Sequence, residues 1–306
     1  MFVARHLVAQ GRVLAALGGT IVEAAGQRLG LTAARTAPVP PSHEVIARLP
    51  APSPGLVRDF IRHVGGDPAA WRGQLPPHLF PQWAVPLAAR TLRGLPYPML
   101  EVINGGCKLQ MNAPLPASGP LVVRARLESI DDDGRRAVLR QRVVTGTEAV
   151  PDALVADLFV IVPTQPRRAR KSAKDSPPAA RKQPARVPVH ARELSFWRLP
   201  ADAGLTFAVL TGDLNPIHWV KPYARAAGFR SPILHGFSTM ARAMEGLIRG
   251  LFAGSMQRLG SIDVRFVRPL ALPARVGLYV CGQEIFVGDA PGGPAYLTGS
   301  FTERPL

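Results

Sequence analysis

The chain has 306 residues, 47% hydrophobic and 19% charged, which is ample material for packed cores and excludes a disordered composition. Its 37 Lys/Arg against 21 Asp/Glu leave a formal charge of +16, which invites a nucleic-acid or membrane-surface partner. Two cysteines, Cys107 and Cys281, exclude a disulfide framework, match no metal spacing and suit a reducing, cytoplasmic setting.

In chain order, Val3, Leu7, Leu14, Leu17 and Ile21 fall on one helical face. They predict a peripheral helix in an N-terminal extension over 1–40. Arg5 and Arg12 interrupt any signal-peptide core, and no window reaches about 18 consecutive apolar residues, so no transmembrane segment is expected. A first folded half over 41–162 follows. It predicts a helix over about Gln82–Leu92, then strands near Cys107–Met111, Leu121–Leu127, Ala137–Val144 and Leu154–Val162. His63 and His78 carry no readable signal.

Residues 163–192 locate much of the charge. They hold nine Lys/Arg (Arg167, Arg168, Arg170, Lys171, Lys174, Arg181, Lys182, Arg186 and Arg192) against Asp175 alone, a local excess of eight and half of the total. The segment is proline-rich and has no apolar periodicity, so it reads as a self-repelling tether. It lacks the interleaved aromatics that stack bases, so nucleic-acid binding is not expected. An acidic carrier of the substrate is the sharper partner for it.

A second half over 193–306 predicts one long helix, on which Phe237, Met240, Ala241, Met244, Leu247, Ile248 and Leu251 keep i, i+3, i+4, i+7 spacing. Alternation predicts strands over Ile262–Phe266, Val276–Val280, Gln283–Val287 and Tyr296–Phe301. The halves repeat each other. Arg48-Leu49-Pro50-Ala51 recurs as Arg198-Leu199-Pro200-Ala201, Pro77 as Pro232, and Pro114-Leu115 as Pro269-Leu270. One helix followed by antiparallel strands, twice over, is an α+β plan. Cys107 and Cys281 read as buried small hydrophobes, and Met240 and Met244 as core residues first.

The chemistry concentrates in Leu210–Arg242. Gly212-Asp213 and Asn215-Pro216 are turn signals, and one tight loop then carries a carboxylate (Asp213), an amide (Asn215) and an imidazole (His218). A carboxylate beside a histidine that titrates near neutrality suits general acid–base work. Leu234-His235-Gly236-Phe237 opens the long helix. Gly236 lets a ligand oxygen approach the backbone, and the N–H groups and dipole of a helix start suit a developing oxyanion. Together these suggest chemistry α,β to a carbonyl. His235 reads mainly as a structural residue at the helix start.

Asp213-Leu214-Asn215-Pro216-Ile217-His218, then Ala227-Gly228-Phe229, then Pro232-Ile233-Leu234-His235-Gly236, resembles the hydratase-2 motif of the MaoC-like dehydratase family. The two-half plan resembles its double hot-dog members, close to the actinobacterial (3R)-hydroxyacyl-thioester dehydratases. The resemblance implies a double hot-dog fold, two long helices each wrapped by an antiparallel sheet. It implies reversible hydration of trans-2-enoyl thioesters, carried by coenzyme A or acyl carrier protein, with no cofactor and no metal. On matching positions, Asp213 and His218 would activate the water and shuttle the α-carbon proton, Asn215 would orient them, and the Gly236 N–H would polarise the thioester carbonyl with His235 and Phe237 beside it. After His218 this chain has Trp219-Val220-Lys221 where many members place a polar residue two positions on, so the resemblance does not supply the loop's support.

The first half offers only Gly66-Asp67-Pro68-Ala69-Ala70-Trp71, and Phe80-Pro81 stands where His235-Gly236 would. Proline donates no N–H. That half is expected to be catalytically silent and, by the resemblance, to shape the acyl tunnel. A homodimer stays open. So do a hydratase of a short dicarboxylic enoyl-CoA and a non-catalytic acyl-thioester-binding or scaffolding protein.

Overall fold

The computed structural model describes residues 4–7, 10–11, 38–99, 102–164 and 183–304. The first half runs β1 (Val45–Pro50), α1 (Pro54–His63), β2 (Gln74–Leu75), α2 (Pro81–Arg90), β3 (Ile103–Met111), β4 (Leu115–Pro116), β5 (Pro120–Asp132), β6 (Arg136–Gly146) and β7 (Leu154–Pro163). The second runs β8 (Arg192–Leu199), α3 (Ala203–Thr211), α4 (Lys221–Ala226), α5 (Gly236–Gly250), β9 (Leu259–Phe266), β10 (Ala274–Cys281), β11 (Glu284–Gly288) and β12 (Ala295–Glu303).

Ten of these strands form one antiparallel sheet in the order β1-β5-β6-β7-β3-β9-β12-β11-β10-β8. Read from the middle outwards, the two sides match strand for strand. β3 corresponds to β9, β7 to β12, β6 to β11, β5 to β10 and β1 to β8. The repeat is thus a twofold about the β3–β9 seam, where Cys107 faces Val264 and Leu109 faces Ile262. The repeated Arg-Leu-Pro-Ala segments end β1 and β8, and Pro77 and Pro232 lie just before α2 and α5. The two expected sheets are therefore one continuous sheet, because β3 and β9 are each the inner edge of a half and satisfy each other's ladder.

Every strand expected from alternation is present, with ends that differ by a few residues. The pattern of β5, with Leu121, Val123, Ala125 and Leu127 all buried, is the period of two that made it legible. In contrast, α5 is buried nearly all round, because the sheet wraps its apolar side and the first half covers the other. Met240, Ala241, Met244 and Leu247 are fully shielded. Truncating one of the larger of these to alanine costs about 2–5 kcal/mol. Helix α2 is shorter and carries Pro86 within it. β1, α1, β8 and α3 have no counterpart in the elements expected from periodicity.

The expected N-terminal helix falls largely outside the described residues, as do Val3, Leu14, Leu17 and Ile21. The described part is a 3-10 turn over Ala4–His6, with Leu7 half exposed. Of the tether, residues 165–182 lie outside the described part. Its last residues pack on the second half. Val187 and Ala191 are buried with Tyr279 and Ala295, and the Val187 N–H donates to the Gly293 carbonyl at 3.0 Å. A charge-rich composition hid these two small apolar anchors. No helix among the described residues is long and apolar enough to cross a membrane.

Candidate active site

Helix α3 aims the loop that carries Asp213, Asn215 and His218. Its end is set by Gly212, whose φ of 82° is left-handed and whose N–H donates to the Ala208 carbonyl. Asp213 follows directly. The Asn215 side chain accepts from the Ile217 N–H at 3.2 Å and caps a 3-10 turn over Pro216–His218, so this exposed amide shapes the turn that presents His218. The departure after His218 has its own remedy. The Trp219 indole N–H donates to the Leu214 carbonyl at 3.2 Å and ties the two ends of the loop together. Gly204 on α3 lets the helix touch the loop, since a Cβ there would lie 2.0 Å from the His218 carbonyl oxygen.

The loop meets the start of α5. His218 Nδ1 lies 2.8 Å from the Ile233 carbonyl, which can only accept, so Nδ1 carries the proton and Nε2 keeps its lone pair. The Ile217 carbonyl accepts the Ile233 N–H in return at 3.3 Å. His235 Nε2 donates to the Asp213 backbone carbonyl at 3.0 Å, 3.8 Å from its carboxylate. The His218 and His235 rings stack, with centroids 3.5 Å apart and planes 25° apart. Burial holds His218 below the ordinary histidine range, against the opposing pull of the Asp213 carboxylate. His235 is pushed down to about 3, by burial first and by His218 next. Both imidazoles are therefore neutral near pH 7.

Gly236 is the first residue of α5, so its N–H has no acceptor within the helix. Phe237 is buried, edge-on to Phe80 at 5.3 Å and to Phe266 at 6.0 Å. The corresponding first residue of α2 is Pro81, with no N–H to offer. The donor atoms of Asp213, His218 and His235 all lie within 4.8 Å of one another, near enough to share a cation. However, each ring already spends one nitrogen on a backbone carbonyl and the rings stack rather than converge. That geometry fits proton transfer better than ligation.

Several residues near this site were silent in the sequence. Gln10, fully buried, donates from Nε2 to the Val209 and Leu210 carbonyls at 3.0 and 3.1 Å, closing the C-terminus of α3 just before Asp213. His6 and Arg5 pair with Asp59 of α1. The first half's degenerate loop has become a clasp. The Trp71 indole donates to Glu245 of α5 at 2.9 Å, and His78 Nε2 lies 3.1 Å from the same oxygen. His63, pushed down to about 3 mainly by burial, packs against Phe207, which in turn packs against His235. Cys107 is buried and its thiol is raised by that burial, as expected of a small hydrophobe. Cys281 is only half-buried, with His190 Nε2 3.2 Å from its sulfur.

Residues 173–287 match the sequence profile of the MaoC like domain. The chain is similar to 3-hydroxyacyl-thioester dehydratase Y of Mycobacterium tuberculosis, 32% identical over 179 residues. That match covers 55% of this chain and 58% of the relative, so the chain spans little more than half the length of this curated relative. Among solved structures, HtdX of Mycobacterium tuberculosis superposes with a TM-score of 0.64 at 21% identity, covering 86% of this chain and 100% of that one. A Mycobacterium tuberculosis protein described as having a double hot-dog fold superposes at 0.52 with 15% identity, covering 86% of this chain and 96% of its own. Sequence and architecture converge: residues 173–287 match the MaoC like domain, within a chain folded as a double hot-dog.

Proposed function

We propose that the chain is a hydro-lyase that reversibly adds water to trans-2-enoyl thioesters, giving (3R)-3-hydroxyacyl thioesters. The observation that carries this reading is the meeting of Asp213 and a neutral, singly committed His218 with the free helix start at Gly236. The similarity to a relative named 3-hydroxyacyl-thioester dehydratase supports the same chemistry.

In this reading a water lies between the Asp213 carboxylate and His218 Nε2. As its oxygen bonds to C3, the C2–C3 π pair moves towards the thioester carbonyl, and the resulting enolate oxygen accepts the Gly236 N–H. The proton taken from the water is delivered to C2, so one water is added and nothing else is consumed. Proton transfer of this kind contributes on the order of 10²–10⁴ in rate, and one oxyanion donor roughly 10²–10³. Asn215 acts through the turn it caps. His235 holds the Asp213 backbone from behind rather than touching the reacting atoms.

In this reading the silent first half, which covers α5, shapes the acyl tunnel. Delivery by an acidic acyl carrier protein is the reading that suits the basic tether, and the free cysteines suit a cytoplasmic setting. A chain-length series of trans-2-enoyl-CoA substrates, followed by loss of enoyl absorbance, tests the activity. Turnover is expected, and none on any length would sink the reading in favour of a non-catalytic binding role.

A further inference from the structure

One face of α5 is polar and yet buried. His235, Ser238, Arg242, Glu245 and Arg249 recur at helical spacing, and the first four are 2%, 0%, 9% and 2% exposed. This face looks across to the first half. Along it Glu245 is held by Trp71 and His78, and Arg249 donates to the Gly65 carbonyl at 2.8 Å. Two members stand apart. The Ser238 hydroxyl and the Arg242 Nε are fully shielded and have no hydrogen-bond partner, and Arg242 has no ion pair among the described residues. The neighbouring His63 Nε2 is likewise shielded and unpartnered.

Burial brings Arg242 down only to about 10, so it stays charged near pH 7. A buried guanidinium without an anion is among the costlier things a fold can hold, and polar groups left unpaired in a native interior call for an explanation. The two exceptions follow His235 along the stripe, in the half nearer the Asp213–His218 loop. Side chains on a helix lean towards its N-terminus, so Arg242 reaches back over the turn that carries Ser238 and His235. Along the axis, Ser238 lies roughly 3 Å and Arg242 roughly 9 Å beyond Gly236. Arg242 keeps 9% of its surface exposed although its Nε is shielded, and among the described residues no hydrogen bond or ion pair engages the rest of its guanidinium.

We propose that Ser238 and Arg242 bind a carboxylate carried by the acyl group, so that the preferred substrate is an enoyl thioester bearing a second, terminal carboxylate. This rests on the hydratase reading above and narrows its substrate class. The guanidinium fork matches a carboxylate with two parallel N–H donors, and the serine hydroxyl adds a third. A short dicarboxylic acyl group spans from the Gly236 N–H to the fork along one helix face. A plain alkyl chain of the same length leaves the charge unpaired.

The test is isothermal titration of the full chain with glutaryl-CoA and with valeryl-CoA. These two saturated five-carbon thioesters differ in one terminal carboxylate, and neither can be hydrated. Glutaryl-CoA is expected to bind about tenfold tighter or better. Arg242→Met should bring the ratio of affinities to within about twofold, and Arg242→Lys should keep part of it, since a point charge lacks the fork. Ser238→Ala, a smaller change, should lower the ratio about threefold. Equal binding by the wild type, or a preference that survives in Arg242→Met, overturns the proposal. Absorbance assays with crotonyl-CoA on the same preparation separate the two readings. Turnover with equal affinities removes the carboxylate site and leaves the hydratase. A tenfold preference with no turnover keeps the site and removes the hydratase.

Discussion

At the scale of residues, the role proposed for His218 rests on its surroundings. The Ile233 carbonyl accepts a hydrogen bond from its Nδ1, burial keeps it neutral, and the Asp213 carboxylate is close enough to oppose that shift. His218→Ala and Asp213→Asn are each expected to lower kcat on a trans-2-enoyl-CoA by on the order of 10²–10⁴. Both side chains sit on a half-buried loop, so thermal unfolding should shift by only a few degrees. A rate near wild type from either variant would refute the assignment. The other two histidines make a different prediction. His63 and His235 are lowered from 6.5 to about 3, so between those values the unfolded chain binds protons that the folded chain refuses. Their neutral burial is harmless above the unfolded value and becomes destabilising as pH falls below it. Each contributes at most roughly 1.4 kcal/mol per pH unit. Urea unfolding at pH 7.5 and 5.5 should show a lower midpoint at the acid value. Equal midpoints would mean that these rings are already protonated in the fold.

At the scale of elements, α5 does two jobs with two faces. Its apolar face was plain from i, i+3, i+4, i+7 spacing. The polar stripe has the same spacing but reads, in a sequence, as the solvent side of an amphipathic helix. Only the first half, folded over it, turns those residues into an interior network. Glu245→Ala removes the shared partner of Trp71 and His78, and is expected to cost roughly 3 kcal/mol or more in urea unfolding. A loss below 1 kcal/mol would show that the cluster is ornamental to stability. Helix α3 depends on the N-terminal segment in a similar way. Gln10→Ala leaves the Val209 and Leu210 carbonyls without their donor, at about 1–2 kcal/mol. Because Asp213 follows the helix end directly, kcat should fall with it while KM changes less. An unchanged kcat would confine Gln10 to stability.

At the scale of the whole molecule, the seam between β3 and β9 joins two halves into one sheet, and the clasp on α5 crosses the same boundary. The tether is then not what holds the halves together. A protease site inserted between Pro166 and Lys182 and then cut should leave two pieces that co-elute in size exclusion and keep enoyl turnover. Separation of the pieces without denaturant would show that the chain connection is required. The twofold also shows where the halves differ at the proposed oxyanion site. Pro81 opens α2 where Gly236 opens α5, so the same architecture offers an oxyanion donor on one side only.

The sequence by itself determined the repeat, most of the strands, the long helix and the loop that carries Asp213, Asn215 and His218. These are local patterns: a period of two, a period near 3.6, and turn residues with a fixed backbone preference. It did not reveal β1 and β8, which form the two outer edges of the sheet. There, exposed Ile46 and Phe196 blur the alternation, because an edge strand pairs on one side and leaves the pattern weakly constrained. Nor did it reveal Gln10, His63, His78, Ser238, Arg242 or Glu245. Each of these is an ordinary surface residue type until a distant segment covers it. Their burial comes from segments far away in sequence, and the Gln10 contact spans 200 positions, which no window along the chain can contain. The tertiary structure decided which polar residues are buried, which of them are paired, and which are left without a partner.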